Sequence, residues 1–330
     1  MLNPDQKLNP KIFDLQVEQA PIRDGFGQGL LEVGATNEKV VALCADLVES
    51  TRMNLFADKY PERFVEVGVA EQNLVTVASG MAAMGKIPFT SSYAMFSPGR
   101  NWEQIRTTIC YNDRPVKIVG SHAGISVGPD GGTHQAIEDI ALMRVLPRME
   151  VVVPADSIEA KKATIVLAST GKPAYIRLAR NKSVVITTEE SPFTLGQANI
   201  LINPDKPAVA IIACGQMVHR ALLAAKKLHS EGIVVSVTNL HTIKPLDATT
   251  IEAVAREAGA VVTVEEHQIT GGMGSAVAEF LVSTLPVPME IMGVKDLFGQ
   301  SGEPSELLDY YGLAVSDIVE AVKKVQKRKK

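Results

Sequence analysis

Residues 64–84 read FVEVGVAEQNLVTVASGMAAM, and this stretch carries the pattern that decides the fold. The β-branched and aromatic run Phe64–Val67 predicts a strand, and the apolar residues from Leu74 to Met84 predict a helix. Because this helix is apolar on nearly all sides, we expect it to be buried in the core or in a subunit interface. The order of strand and helix repeats along the chain, which is typical of α/β proteins with largely parallel sheets.

Two such series of strands and helices are separated by a polar segment, Ser183–Pro207, which is rich in proline. The predicted fold is therefore α/β with two domains, residues 1–190 and 191–330, each a largely parallel sheet covered by helices. The length of 330 residues suits two domains of about 150 residues each. We expect the last helix to begin near Ser316, a residue type that favours the helix N-cap.

Composition excludes several classes of protein. The chain has 33 basic and 37 acidic residues, a net charge of −4, which argues against a nucleic-acid-binding surface. Its apolar runs are too short to span a bilayer, and residues 1–17 lack the apolar region of a signal peptide. The cysteines Cys44, Cys110 and Cys214 are far apart and lack the spacing of metal ligands. We expect a cytoplasmic protein that binds neither nucleic acid nor membranes.

Two glycine strings resemble ligand-binding loops. Gly25, Gly27 and Gly29 form a GxGxG string, but it lies in a predicted helix with no strand before it, so a dinucleotide site is not expected. The string at residues 271–274, GGMG, lies between a predicted strand and a predicted helix. It could bind an anion at the helix N-terminus, but we expect a plain tight turn.

Two further segments carry residues suited to cofactor chemistry. Glu71 begins the apolar helix, where the helix dipole stabilises a carboxylate while desolvation favours its protonated form. A capping acid explains Glu71 equally well when it is taken alone. Tyr93 and Phe96 could stack on a flat heteroaromatic ring, although an aromatic pair at this spacing is more often part of a core.

Residues 120–138, GSHAGISVGPDGGTHQAIE, follow an apolar predicted strand. A loop at the carboxyl end of such a strand lies where open α/β sheets bind ligands. Its polar residues His122, Asp130 and His134 are separated by glycines that would let a sugar or a phosphate approach the backbone. Arg180, just beyond another predicted strand, could bind a phosphate.

These segments, together with Tyr175–Arg180 and TVEEHQITGGMGSAVAE at residues 263–279, resemble the carboxyl-terminal two-thirds of transketolase. The resemblance covers nearly the whole chain and implies the pyrimidine-binding and carboxyl-terminal domains of a thiamine-diphosphate enzyme. The Gly-Asp-Gly signature with which that family binds the diphosphate and Mg²⁺ does not occur in this sequence. The resemblance therefore implies the carboxyl-terminal subunit of a split transketolase, whose amino-terminal partner subunit would hold most of the Mg²⁺ site.

The activity implied is the transfer of a two-carbon ketol unit between ketose and aldose phosphates, as in the pentose phosphate pathway. The implied assembly is an α2β2 heterotetramer in which this subunit associates with itself through its pyrimidine-binding domain.

Site residues carry over from the resemblance position by position. Glu71 matches the acid that hydrogen-bonds the aminopyrimidine of thiamine diphosphate, and Tyr93 and Phe96 match an aromatic shelf for that ring. Asp46 and Leu47 match a segment that lines the cofactor. The remaining matches concern the substrate: Arg23, Ser50, His122 and Arg180 would bind the sugar phosphate, and Asp130 and His134 would contact sugar hydroxyls. Glu71, His122 and His134 are thus the candidate catalytic residues, and no metal ligand is expected.

Alternatives stay open. Gly132 stands where transketolases usually have proline, and Ala70-Glu71-Gln72 also resembles deoxyxylulose-phosphate synthase. The β subunit of a 2-oxoacid dehydrogenase first component would not need the His122–Asp130–His134 set or Arg180. A non-catalytic scaffold subunit would have no reason to keep an acid at the start of an apolar helix.

Overall fold

The strands are short and mostly buried. A computed structural model describes residues 2–329. In chain order the strands are β1 (Gln19–Pro21), β2 (Val40–Cys44), β3 (Phe64–Glu66), β4 (Ile87–Tyr93), β5 (Lys117–Ser121), β6 (Glu150–Val152), β7 (Ala174–Arg177), β8 (Lys182–Val184), β9 (Asn199–Ile202), β10 (Val209–Ala213), β11 (Val235–Asn239), β12 (Thr242–Lys244), β13 (Val261–Gln268) and β14 (Met289–Val294).

Helices alternate with these strands and cover the sheets. In chain order they are α1 (Ile22–Thr36), α2 (Asn54–Lys59), α3 (Glu71–Ala83), α4 (Trp102–Gln104), α5 (Asp139–Arg144), α6 (Ser157–Leu167), α7 (Met217–Ser230), α8 (Ala248–Ala258), α9 (Met273–Thr284), α10 (Pro304–Tyr310) and α11 (Val315–Gln326). A π-helical segment, Ile105–Tyr111, continues directly from α4.

The larger sheet determines where a ligand can bind. Within residues 2–329 it contains seven strands in the spatial order β12–β6–β7–β5–β4–β2–β3, all parallel to their neighbours except β12. The chain passes from β2 outward to β3 and then returns past β2 to β4, so its direction of winding reverses between β2 and β4. Open parallel sheets bind ligands at such a reversal, beyond the carboxyl ends of the strands.

The second sheet has the order β14–β13–β10–β11–β9 among the described residues, and only its edge strand β9 is antiparallel. Helices flank both sheets, so the predicted fold class is confirmed: two α/β domains with mostly parallel sheets. β1 and β8 form a separate antiparallel pair.

Chain segments cross between the two halves, which the sequence pattern does not predict. β12 lies within the second series of elements, between β11 and α8, but pairs with β6 of the larger sheet. Leu2 forms a bridge with Ile202 beside the smaller sheet. A strand of three residues is too short to show an alternating pattern. The boundary between residues 190 and 191 stays a prediction.

Glycines of the GxGxG string lie inside α1 and allow it to pack closely on α6. A Cβ atom on Gly25 would lie 1.7 Å from the Ser157 carbonyl oxygen, and one on Gly29 would lie 2.8 Å from the Lys161 carbonyl oxygen. The string therefore belongs to a helix–helix contact, as its position in a predicted helix indicates.

Two helix predictions need correction. The last helix begins at Val315, and the side chain of Asp317 accepts a hydrogen bond from the Ala314 N–H, so Ser316 is not its N-cap. The sequence also predicts a regular helix at residues 102–110, but in the structure it widens into the π-helical segment. There the hydroxyls of Thr107 and Thr108 donate to the carbonyls four residues earlier, and such bonds compete with regular helical bonding.

One core cluster extends through both halves of the chain. Met143, Ile243 and Met273 are among its buried residues. A second cluster lies mainly between the smaller sheet and α7 and α11, and a third packs α1 and α6 against the larger sheet. Among the described residues no helix combines the length and apolar character needed to span a membrane.

Candidate functional site

The candidate residues follow the carboxyl ends of five neighbouring strands of the larger sheet. Asp46 follows β2, Glu71 follows β3, Tyr93 ends β4, His122 follows β5 and Arg180 follows β7. Because the spatial order is β7–β5–β4–β2–β3, Arg180 and His122 lie toward one end of this edge and Asp46 and Glu71 toward the other. Tyr93 lies between them.

Glu71 is the first residue of α3 and is only 2% exposed. Its carboxylate accepts a hydrogen bond from the Arg100 guanidinium at 3.0 Å, and the exposed fraction of the Arg100 side chain is 51%. The Arg100 guanidinium also lies 5.3 Å from the ring centre of Phe96. The sequence interpretation missed Arg100, because an ion pair across 29 residues leaves no local pattern.

The helix of Glu71 is not enclosed on all sides. Val77 is 40% exposed and Met84 is 84% exposed, and a Cβ atom on Gly80 would have no neighbour within 4 Å. These three residues share one face of α3. The prediction that this helix is surrounded by the chain's own core is therefore wrong for that face, and a subunit interface remains the alternative.

Four aromatic rings meet at the centre of the site. The Tyr93 ring is nearly parallel to those of Phe96 and His122, with ring centres 6.2 Å and 3.9 Å apart. His134 presents its edge to Phe96 at 5.3 Å. The structure thus brings together residues that are up to 41 positions apart in the sequence, and it places the imidazole of His122 against Tyr93.

His122 is held in one protonation state. It is 2% exposed, and burial together with the nearby charges of Arg23, Arg180 and Arg52 lowers its pKa to about 3. The Arg23 guanidinium donates to Nε2 at 2.8 Å, so the ring proton lies on Nδ1 and is donated to the Ser121 hydroxyl at 2.9 Å. His122 is therefore a neutral imidazole that orients Arg23.

Arginines surround this histidine. Arg180 donates to the Val127 carbonyl oxygen at 3.1 Å, and Arg52 pairs with Asp24 at 2.5 Å. The Nε atom of Arg23 is buried and has no hydrogen-bond partner within residues 2–329. Ser50 lies two residues before Arg52 in the same connection between β2 and α2. The sequence interpretation missed Arg52, whose charge lies close enough to Arg23 to lower its pKa.

At the other end of the edge, one carboxylate joins two loops. The side chain of Glu66 accepts hydrogen bonds from the backbone N–H groups of Asp46 and Gly68, both at 2.8 Å. Asp46 has a positive φ of 58°, and its side chain is exposed beside the half-buried Leu47. Glu66 was not singled out from the sequence, yet it sets the position of the loop that carries Asp46.

Asp130 and His134 lie in the loop after β5. Asp130 is exposed at the end of a 3-10 turn, and the His134 Nδ1 lies 2.9 Å from the Thr133 hydroxyl. The sequence interpretation, in which the glycines let a sugar or a phosphate approach the backbone, needs correction. Gly131 and Gly132 instead pack against other residues of the chain. A Cβ atom on Gly131 would lie 2.7 Å from the Ser301 hydroxyl, and one on Gly132 would lie 2.7 Å from the Gly299 carbonyl oxygen.

The glycines at residues 271–274 form a tight turn, as expected. The anion at the N-terminus of α9 belongs to the chain itself, because the Glu265 carboxylate accepts from the N–H groups of Met273 and Gly274, both at 2.7 Å. Burial raises the pKa of Glu265, and these two bonds oppose that effect. The turn is thus occupied by an internal carboxylate.

Comparison with known proteins supplies independent information. The family model "Transketolase, pyrimidine binding domain" matches residues 18–184, and "Transketolase, C-terminal domain" matches residues 196–318. The chain is 42% identical over 310 residues to a putative transketolase C-terminal section of Methanocaldococcus jannaschii, covering 93% of this chain and 96% of that protein. It is 41% identical over 317 residues to a 6-deoxy-6-sulfo-D-fructose transketolase subunit of a Clostridium species, covering 96% and 98%.

A solved structure described as "Split gene transketolase, inactive beta4 tetramer" is also similar. It shares 45% of residues with this chain at a TM-score of 0.88, covering 94% of this chain and 99% of that one.

Proposed function

This chain belongs to the transketolase family of thiamine-diphosphate enzymes, and from that premise we propose that it is the carboxyl-terminal subunit of a two-chain transketolase. With an amino-terminal partner it transfers a two-carbon ketol unit between a ketose phosphate and an aldose phosphate. Near full-length similarity to a protein named as a transketolase C-terminal section supports this proposal.

The observation that carries the proposal is the arrangement of charge along the strand edge. A buried carboxylate, Glu71, lies toward one end, and the cations Arg23 and Arg180 lie around His122 toward the other. The rings of Tyr93 and Phe96 lie between these ends. Such an edge suits a flat cofactor ring beside the acid and an elongated substrate whose anionic group reaches the arginines.

The residues present fit the aminopyrimidine end of thiamine diphosphate. Glu71 is a buried carboxylate that can hydrogen-bond a ring nitrogen, Phe96 offers an apolar ring beside it, and Asp46 and Leu47 would line the same end. Arg100 now bonds to one Glu71 oxygen, and its half-exposed side chain would move aside when the ring binds. When bound, the thiazolium ring of the cofactor stabilises the charge that develops as the substrate carbon–carbon bond breaks.

The proton and charge states of the other residues follow from their contacts. Neutral His122 holds Arg23 through Nε2 and cannot itself supply positive charge at neutral pH. We assign the substrate phosphate to Arg23, whose buried Nε has no hydrogen-bond partner within residues 2–329, and to Arg180 and Ser50. We assign Asp130 and His134 to the sugar hydroxyls, since both lie in the loop beside Phe96.

A sulfonated sugar is a specific second candidate for the substrate. The Clostridium relative is named for 6-deoxy-6-sulfo-D-fructose, and arginine binds sulfonate and phosphate oxygens alike. The synthase and dehydrogenase alternatives predict activity with pyruvate or another 2-oxoacid, and a scaffold predicts none.

We propose that the diphosphate and Mg²⁺ are held mainly by the amino-terminal partner. The beta4 tetramer described as inactive supports self-association of this kind of subunit without activity, and we propose an α2β2 assembly for the working enzyme. A cytoplasmic location and a place in the pentose phosphate pathway are consistent with this proposal.

Reconstitution tests the function. The purified chain should be inactive, and ketol transfer from xylulose 5-phosphate to ribose 5-phosphate should appear only with the amino-terminal subunit, thiamine diphosphate and Mg²⁺. Parallel assays with sulfofructose and with pyruvate separate the candidates. Strong activity of this chain without a partner, or activity with pyruvate alone, would overturn the proposal.

A further inference from the structure

The loop after β5 is built against the carboxyl-terminal half of the chain. Besides the contacts of Gly131 and Gly132 with residues 299–301, a Cβ atom on Gly128 would lie 3.1 Å from the Pro304 ring. These approaches leave little room for a side chain at the three glycine positions. The loop that carries Asp130 and His134 is therefore shaped by a segment more than 160 residues away in the sequence.

Gln135 lies at the centre of this contact. It is 2% exposed, and its Nε2 lies 3.0 Å from the Ile125 carbonyl oxygen, 3.2 Å from that of Gly128 and 2.9 Å from that of Gln300. An amide group has two N–H donors, so three carbonyls share them. One side chain thus connects the start of the loop, its middle and the carboxyl-terminal half.

The same contact is tight from the opposite side. A Cβ atom on Gly299 would lie 1.7 Å from the Gln135 Oε1, so residue 299 must be glycine for the glutamine to keep its place. The segment is itself fixed, because the Tyr311 hydroxyl donates to the Phe298 carbonyl oxygen at 2.8 Å and Gln268 Nε2 donates to the Leu297 carbonyl oxygen at 2.8 Å.

We propose that Gln135 is a positioning residue that, with residues 299–301, sets the placement of the His134 ring against Phe96 and of Asp130 at the loop tip. His134 directly precedes Gln135, and its ring has no hydrogen-bonded anchor beyond the neighbouring Thr133 hydroxyl among the described residues. The carboxyl-terminal half thus takes part in the substrate site through this contact. The catalytic consequence rests on the proposed function, whereas the placement of the ring does not.

The placement is tested in the purified chain by NMR of its six histidine rings, with the His134 signal assigned from a His134→Ala variant. Gln135→Met keeps the size of the side chain but removes its N–H donors. Gly299→Ala adds a methyl group that collides with the Gln135 side chain from the carboxyl-terminal half of the chain. Both should shift the His134 ring signal away from its value beside Phe96. Asn239→Ala, which removes a different hydrogen bond between the halves, to Glu159 at 2.8 Å, should leave it unchanged.

Kinetics of the reconstituted enzyme test the consequence. In Gln135→Met we expect kcat/KM for the acceptor sugar to fall about tenfold, because small displacements of substrate-binding groups are costly, with the change mainly in KM. An unmoved His134 signal in both variants would overturn the inference, and so would a moved signal with kcat/KM within twofold of the parent. Failure of the parent pair to transfer ketol units refutes the proposed function, while the ring signal still decides whether Gln135 positions His134.

Discussion

At the scale of single residues, Glu71 offers the sharpest prediction. Glu71→Gln keeps the shape of the side chain but removes the acid that would exchange a proton with the cofactor ring. We expect ketol transfer by the reconstituted enzyme to fall by at least about a hundredfold, the usual contribution of a general acid or base, with little change in the thermal midpoint. Steady-state rates and a thermal melt measure the two quantities.

A neighbouring acid provides the control for Glu71. Glu103 is exposed on α4, and among residues 2–329 its side chain bonds only to Gln104 and Thr107 of the same helical segment. Glu103→Gln should therefore retain parental activity. Parental rates in Glu71→Gln would remove Glu71 from the chemistry.

The lowered pKa of His122 predicts that the free energy of unfolding depends on pH. Its pKa is about 3 in the fold and about 6.5 in an unfolded chain, so between these values the unfolded state binds more protons and stability falls as pH falls. From about pH 7.5 to about pH 5.5 the parent should lose about 1.4 kcal/mol more than a His122→Gln variant. Urea unfolding at both pH values measures the difference.

Exposed His229 is the matched control, because His229→Gln leaves the buried ring in place. That variant should follow the parent at both pH values. Equal losses in the parent and His122→Gln would show that burial and the neighbouring arginines do not lower the pKa of His122 in the fold.

Some of the site could be predicted from local sequence and some could not. Glu71 stands at the start of an apolar helix and His122 follows a strand, so each was found from its position. Arg100, Arg52 and Gln135 act through contacts with distant segments, and no spacing in the chain reports such contacts. The glycines after β5 were recognised, but their neighbour was taken to be a ligand instead of the chain itself.

At the scale of elements, α3 presents a free face formed by Val77, Gly80 and Met84. We expect this face to be covered by a second copy of the chain, since it is apolar and continues from Glu71. Gly80→Lys should fit the single chain, because no atom of residues 2–329 lies within 4 Å of an added Cβ and lysine favours a helix more than glycine does. It should shift the purified chain toward monomer in sedimentation experiments.

Ser283→Lys on α9 is the control for Gly80→Lys, since it adds the same charge to an exposed helix position elsewhere. It should keep the parental association state. An unchanged oligomer in Gly80→Lys would show that α3 does not lie in the self-association surface.

Prediction of the elements succeeded where an apolar run follows a proline-containing turn. The runs Ala174–Arg177 and Val209–Ala213 predict strands, and β7 and β10 have these bounds. β12 and the π-helical segment were not predicted. A three-residue strand is set by its partner, and the threonine hydroxyls that widen the helix act on the backbone without changing the apolar spacing.

At the scale of the whole molecule, the two halves form one packed unit. A core cluster contains residues of both, the Gln135 contact joins them at the site, and β12 extends the larger sheet. The sequence predicts two series of elements, but it does not show that β12 of the second series joins the sheet of the first. Contacts between distant segments determine how the two halves pack, and they also determine where the site residues lie.

A buried carboxyl group at the junction of the halves supports the last prediction. Glu159 accepts from the Asn239 side chain at 2.8 Å, and burial together with the charge of Asp156 raises its pKa to about 8. Between its unfolded pKa of about 4.3 and this value the folded chain binds more protons, so this group makes stability fall as pH rises. Glu159→Gln should therefore remove a decline on the order of 1 kcal/mol per pH unit between about pH 5 and about pH 7.5. Urea unfolding of the parent, of Glu159→Gln and of the exposed-site control Glu257→Gln would show it. Parallel pH profiles in all three would mean that Glu159 is ionised in the fold.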